Sequence, residues 1–163
     1  MDTFINKERR YNLLFICLGN ICRSPAADAV MHHLTDSKGL SHNFTIDSAG
    51  IGNWHIGDLP DRRMREHGAK RGYKIDHIAR QFDRNKDFDA FIVMDDDNYS
   101  EICNQAKNAE QRSKVVKMRD FFAQYKGETS VPDPYYGGAK EFEYALDLIE
   151  DGCKGLLETI IKM

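Results

Sequence analysis

The chain has 163 residues, 41% of them hydrophobic and 30% charged, enough to bury one sizeable core and not two. Lys and Arg number 23 against 26 Asp and Glu, a net charge of −3, and no stretch concentrates the basic residues as a nucleic-acid footprint would. The longest apolar runs, such as Leu13 to Leu18 and Ala90 to Met94, fall far short of the ~20 residues of a membrane-spanning helix, so neither nucleic acid nor a membrane is an expected partner.

Met1 to Arg10 is polar and charged, without the apolar segment of a secretory signal. It reads as a short extension ahead of a single domain over residues 11–163, and a cytoplasmic location is expected. From there apolar runs alternate with longer amphipathic stretches, the pattern of parallel strands joined by helices. Tyr11 to Ile16 is rich in bulky residues and ends at a glycine-containing turn, which predicts a first strand buried on both faces. Ser24-Pro25 then starts a helix with an apolar stripe at Ala26, Ala27, Ala29, Val30, Met31 and Leu34, and Gly39 ends it or lies just beyond. Asn43 to Ser48 alternates with period two and runs into a glycine-rich loop through Gly52 and Gly57, giving a second strand. Pro60 opens a further helix and Gly72 closes it. Asp89 to Met94 predicts a third buried strand, after which Asp95, Asp96, Asp97 and Asn98 offer oxygen acceptors to a helix N-terminus. Val115-Val116 suffices for a short fourth strand at best. Pro132 to Gly138 reads as a rigid loop. Glu141 to Ile161 repeats apolar residues at 142, 145, 146, 149, 153, 156, 157 and 160, the pattern of a long helix covering the sheet.

The informative segment lies between the first strand and the first helix: Cys17-Leu18-Gly19-Asn20-Ile21-Cys22-Arg23-Ser24, a C-x5-R-S pattern. In an open α/β sheet, ligands bind beyond the C-terminal edge of the strands, where a helix points its unpaired N–H groups at a bound anion. Seven residues suffice to wrap a tetrahedral oxyanion. Gly19 and Asn20 tolerate left-handed backbone angles, which lets successive amides of Leu18 through Ser24 converge on one point, and Arg23 adds a charged fork matched to two phosphate oxygens. Amides, helix terminus and guanidinium together favour a thiolate at Cys17, which makes it a candidate nucleophile with Ser24 as hydrogen-bond donor to the sulfur. The motif alone is also compatible with a buried apolar cysteine followed by an arginine in a first helical turn; it is the setting of strand, glycine-containing loop and helix that favours the catalytic reading.

Departure of a phenolate at neutral pH benefits from a proton delivered to the bridging oxygen. Asp133, in Val131-Pro132-Asp133-Pro134-Tyr135-Tyr136-Gly137-Gly138, is the candidate acid: two prolines stiffen its backbone, and aromatic neighbours can limit water access. On its own the segment is compatible with an ordinary Pro-Asp turn. The four cysteines, at 17, 22, 103 and 153, lack the spacing of a zinc site and, in a reducing compartment, do not predict a disulfide scaffold. No metal and no cofactor is expected.

These segments, with Asp47-Ser48-Ala49-Gly50, Ile75 to Gln81 and Met94-Asp95, resemble the low-molecular-weight protein tyrosine phosphatases over nearly the whole chain after Arg10. The resemblance implies a four-stranded parallel sheet with helices on both faces and the phosphate loop between first strand and first helix. It implies a metal-free, two-step mechanism with Cys17 as nucleophile, Arg23 as phosphate clamp and Asp133 as general acid. It further implies that Asn20, Ser48 and His77 hold the phosphate loop in shape together with Ser24, and that Trp54 faces Tyr135 and Tyr136 across a groove suited to an aromatic ring. Cys22 matches a second loop cysteine able to trap an oxidised Cys17 as a reversible disulfide. The implied partner is a phosphotyrosine protein, met by a monomer or weak homodimer. Arsenate reductases share the loop but relay electrons through closely spaced downstream cysteines, whereas Cys103 and Cys153 are far apart. Protein-arginine phosphatases of this fold tend to carry threonine where Ile21 stands, and a smaller aromatic patch after the acid. A non-catalytic phosphate-binding or redox-sensing domain would need the nest alone, and here every catalytic group is present.

Overall fold

The computed structural model describes residues 9–163, so the expected extension lies, over residues 1–8, outside the described residues. Strand β1 (Tyr11–Cys17) is central, with β2 (Phe44–Gly50) on one side and β3 (Ala90–Val93) then β4 (Val115–Lys117) on the other, all parallel. The order β2-β1-β3-β4 brings the C-terminal ends of β1, β2 and β3 together along one edge. Alternation along β1 divides the core. Leu13, Phe15 and Cys17 join the larger apolar cluster, while Leu14 and Ile16 join the smaller one, so both faces of the strand are buried. Helices α1 (Arg23–Ser37) and α5 (Ala139–Ile161) pack together on the larger cluster's face; α3 (Asp96–Gln105) covers the other through Ile102.

Helix boundaries differ from the sequence reading by a residue or two. α1 begins at Arg23, so Pro25 lies within the first turn, where its missing N–H costs nothing. α2 (Arg62–Lys70) starts after Pro60 because Asp61 is its cap, accepting from the Arg63 N–H at 2.8 Å. α5 begins at Ala139, with the Gly138 N–H held by the Glu141 carboxylate at 2.7 Å. The third strand is shorter than expected, and β4 is three residues long. Three elements were not anticipated: a 3-10 turn over Ser41–Asn43, the short helix α4 (Ala109–Ser113) and a second 3-10 turn over Met118–Phe121.

That turn meets α5 where the helix has no side chain. A Cβ at Gly155 would lie 1.9 Å from the Phe121 carbonyl oxygen. Alanine improves an open helix by about 1 kcal/mol, but here the obstacle is backbone, which cannot rotate away. Gly155→Ala is therefore expected to destabilise the protein by about 1–3 kcal/mol, read as a lower denaturation midpoint; a rise in the midpoint would mean that the turn gives way freely.

Candidate active site

The phosphate loop, residues 17–24, leaves β1 at the centre of the sheet edge. Its carbonyls are tied outward: Cys17 and Leu18 accept from the Ile51 and Gly52 N–H groups at 3.0 and 2.9 Å, and Ile21 accepts from the Asp61 N–H at 2.8 Å. Backbone carbonyls turned away leave the loop's amides facing the opposite side, the arrangement of an anion nest. The left-handed residue is Asn20, with φ of 58°. Gly19, which could have adopted such angles, does not; a Cβ there would lie 3.2 Å from Cδ2 of His55, a tight contact that the imidazole would have to yield.

Asn20 is fully buried, and both polar atoms of its side chain are hydrogen-bonded. Its Nδ2 donates to Ser24 Oγ at 2.7 Å and to Ser48 Oγ at 3.1 Å, and its Oδ1 accepts from the Arg80 N–H at 2.9 Å. Ser24 Oγ lies 3.0 Å from Cys17 Sγ. With its oxygen already accepting from Asn20, the single serine proton lies within reach of two acceptors, the sulfur and the more distant Ala49 carbonyl at 3.4 Å. Asn20, Ser24 and Ser48 are thus hydrogen-bonded together, whereas among the described residues no hydrogen bond joins His77 to Asn20 or Ser48. The His77 Nδ1 lies 3.7 Å from Asp28 and 3.8 Å from Asp47, and its Nε2 is buried without a hydrogen-bond partner. The place facing Asn20 is taken by the Arg80 amide, whose side chain also pairs with Asp47.

Arg23 is 3% exposed in its side chain. Nη1 donates to Asp95 Oδ2 at 2.6 Å and to the Val131 carbonyl at 2.9 Å, while Nη2 lies 3.8 Å from Asp133 Oδ2. Burial alone would lower its basicity, but Cys17, Asp95 and Asp133 together raise it above the ordinary arginine value. From sequence Asp95 is only an oxygen acceptor for a helix N-terminus. It does cap α3, through Oδ1 and the Asn98 N–H at 2.7 Å, and its other oxygen anchors the guanidinium.

Cys17, Leu18, Gly19, Ile21, Cys22, Arg23, Trp54, Asp133, Tyr135 and Tyr136 line one cleft of about 450 Å³. His55 completes its wall and was missed by the sequence reading; its Nδ1 lies 3.2 Å from Asp58. Trp54 reaches the cleft by lying across Gly52, where a Cβ would meet its ring at 1.9 Å. The aromatic residues do not shelter Asp133. Its side chain is 36% exposed, and Tyr136 is 93% exposed. Burial, with Asp61, Cys17 and Asp133 nearby, pushes the Cys22 thiol well up from its ordinary value. Among the described residues, Asp28, Asp47 and His77 could share a metal ion, their ligand atoms lying within 4.8 Å of one another. Two of them are already engaged: His32 pairs with Asp28 at 3.1 Å, and Arg80 with Asp47.

The chain is similar to known proteins over nearly its whole length. The family model described as low molecular weight phosphotyrosine protein phosphatase matches residues 12–163. A relative from Synechocystis is 46% identical over 152 residues, covering 92% of this chain and 96% of its own. The low molecular weight protein-tyrosine-phosphatase YfkJ of Bacillus subtilis is 40% identical over 154 residues, 93% of this chain and 96% of that protein. Among solved structures, a protein tyrosine phosphatase from Entamoeba histolytica, with Hepes in its active site, superposes with a TM-score of 0.90 at 43% identity, covering 93% of this chain and 97% of that one.

Proposed function

The chain belongs to the low-molecular-weight phosphotyrosine protein phosphatase family, and from that premise we propose that Cys17 is its nucleophile, Arg23 its phosphate clamp and Asp133 its general acid. The protein is a cysteine-based hydrolase of phosphotyrosine in proteins, working through a phosphocysteine intermediate as is typical of the family. The observation that carries the residue assignment is the meeting of Cys17 Sγ, the Arg23 guanidinium and the Asp133 carboxyl in one cleft.

In the first step the Cys17 thiolate attacks phosphorus, the bond from phosphorus to the phenolic oxygen breaks, and Asp133 gives its proton to that oxygen. In the second, the Asp133 carboxylate takes a proton from water as the water oxygen attacks phosphorus. The sulfur–phosphorus bond breaks, phosphate leaves, and the thiolate is restored with the Ser24 hydroxyl donating to it. Amides of Leu18 through Ser24 and the Arg23 fork hold the equatorial oxygens throughout. Trp54, Tyr135 and Tyr136 flank the ring and set a depth that a phosphoserine side chain does not span.

Asp133→Ala is expected to lower kcat/KM by about 100-fold for poor phenol leaving groups and by much less for good ones; equal losses across a series of aryl phosphates would refute the acid role. Side-by-side turnover of phosphotyrosine, phosphoarginine and phosphoserine peptides tests the substrate class, with phosphotyrosine expected to lead. Preference for phosphoarginine would transfer the protein to the arginine-directed reading.

Cys22 is the proposed redox partner of Cys17. Since its thiol is held protonated by burial, trapping of a Cys17 sulfenic acid is expected to accelerate about tenfold per pH unit. Mass analysis after peroxide would follow the linked species, and overoxidised Cys17 without any link would reject Cys22. The protein is further proposed to act as a monomer or weak homodimer in the cytoplasm, away from nucleic acid and membranes. Supporting this are its mild negative charge and the finding that, among the described residues, no helix is long and apolar enough to cross a membrane.

A further inference from the structure

The acid loop has to hold Asp133 at a fixed height above the sulfur, yet two of its residues are prolines without an N–H. At one end the Val131 N–H donates to the Met94 carbonyl at 2.9 Å; at the other the Gly138 N–H is fixed by Glu141. The middle is held from outside, by Arg63 in the first turn of α2. Its Nη2 donates to the Tyr135 carbonyl at 2.8 Å and its Nη1 to the Gly137 carbonyl at 3.2 Å. The guanidinium lies 5.6 Å from the Tyr135 ring centroid and 4.6 Å from that of Phe142.

Arg63 is itself fixed. Asp61 accepts from its Nε at 3.2 Å and from its Nη2 at 3.1 Å, and the Asp61 N–H is the donor to the Ile21 carbonyl of the phosphate loop. A continuous line of bonds therefore runs from the nucleophile's loop through Asp61 and Arg63 to the acid's loop. It ends on the residue that orients the acid, because the Tyr135 N–H donates to Asp133 Oδ1 at 3.1 Å. We propose that Arg63 is a positioning residue for proton transfer: by gripping the Tyr135 and Gly137 carbonyls it sets where the Asp133 carboxyl stands relative to the phosphate loop.

The role given to Arg63 rests on Asp133 being the acid, and the test separates the two. Arg63→Ala, Asp133→Ala and the double variant are compared on aryl phosphates whose phenols range from weakly to strongly basic. Arg63→Ala is expected to lose about tenfold more kcat/KM on phenyl phosphate than on nitrophenyl phosphate. In the Asp133→Ala background the same change should lose less than about twofold more, because residues acting as one unit are not additive. A merely structural role would instead lower all substrates alike. Equal losses across the series, or losses that simply multiply, would overturn the positioning role while leaving Asp133 as the acid. If Asp133→Ala itself shows no leaving-group dependence, the acid assignment fails first. Should Arg63→Ala not fold, Arg63→Gln, which keeps an amide donor for one carbonyl only, is put through the same series with the same two outcomes.

Discussion

Serine in place of Cys17 is expected to lower turnover of any aryl phosphate by about 10⁴-fold or more while leaving the fold and phosphate binding in place. The substitution exchanges one atom, but a hydroxyl at neutral pH is far harder to ionise than a thiol, and an alkoxide is the species an in-line attack would need. The residue is 3% exposed at the end of a strand, so the smaller oxygen leaves the packing nearly unchanged. Its neighbour Ser24 Oγ remains able to hydrogen-bond to it. Rapid quenching should trap phosphorus on the wild-type protein and none on the variant, and vanadate should still bind. Undiminished turnover by the variant would remove the nucleophile from the mechanism.

Arg23→Lys should cost about 10³-fold in kcat/KM, although it conserves the charge. The guanidinium has separate tasks for its separate nitrogens: Nη1 is committed to Asp95 and the Val131 carbonyl, which leaves the rest of the fork for phosphate. One ammonium cannot reach all three. A lysine would settle against Asp95, and the equatorial oxygens of the transferring phosphoryl group would lose their paired donors. Phosphate should inhibit the variant at least tenfold more weakly by the same reasoning. A loss in kcat/KM below about tenfold would show that the amides alone bind the phosphoryl group.

The parts of the site legible in the sequence are those packed into consecutive residues. Cys17 to Ser24 places the proposed nucleophile, the left-handed turn, the proposed clamp and the proposed hydroxyl donor within one strand-to-helix connection, and the prolines on either side of Asp133 mark its loop. Residues whose roles depend on distant partners were hidden. Nothing near Asp95 in sequence reveals that it faces Arg23, 72 residues away, or that Arg63 meets Tyr135, also at a separation of 72. Arg80 contributes to the phosphate loop through its backbone amide, a group every residue but proline carries and no sequence can single out. His77, by contrast, entered through the resemblance alone, and its ring turns toward Asp28 and Asp47. The short helix α4 did leave a sign: Asn108 is followed three residues later by Gln111, and the asparagine accepts from the Gln111 N–H at 2.8 Å. Five residues are too few to show a period, which is why the pattern of apolar positions passed over it.

Most helix caps can change from aspartate to asparagine at little cost, since either offers an oxygen to the waiting amides. The position at 95 has no such freedom. One of its oxygens starts α3 and the other faces a guanidinium, so asparagine would keep the helix while aiming an amino group at Arg23. The residue that begins a surface helix is thereby fixed by the chemistry of a buried loop, and variation that elsewhere would be neutral drift is closed to this chain at that single carbon.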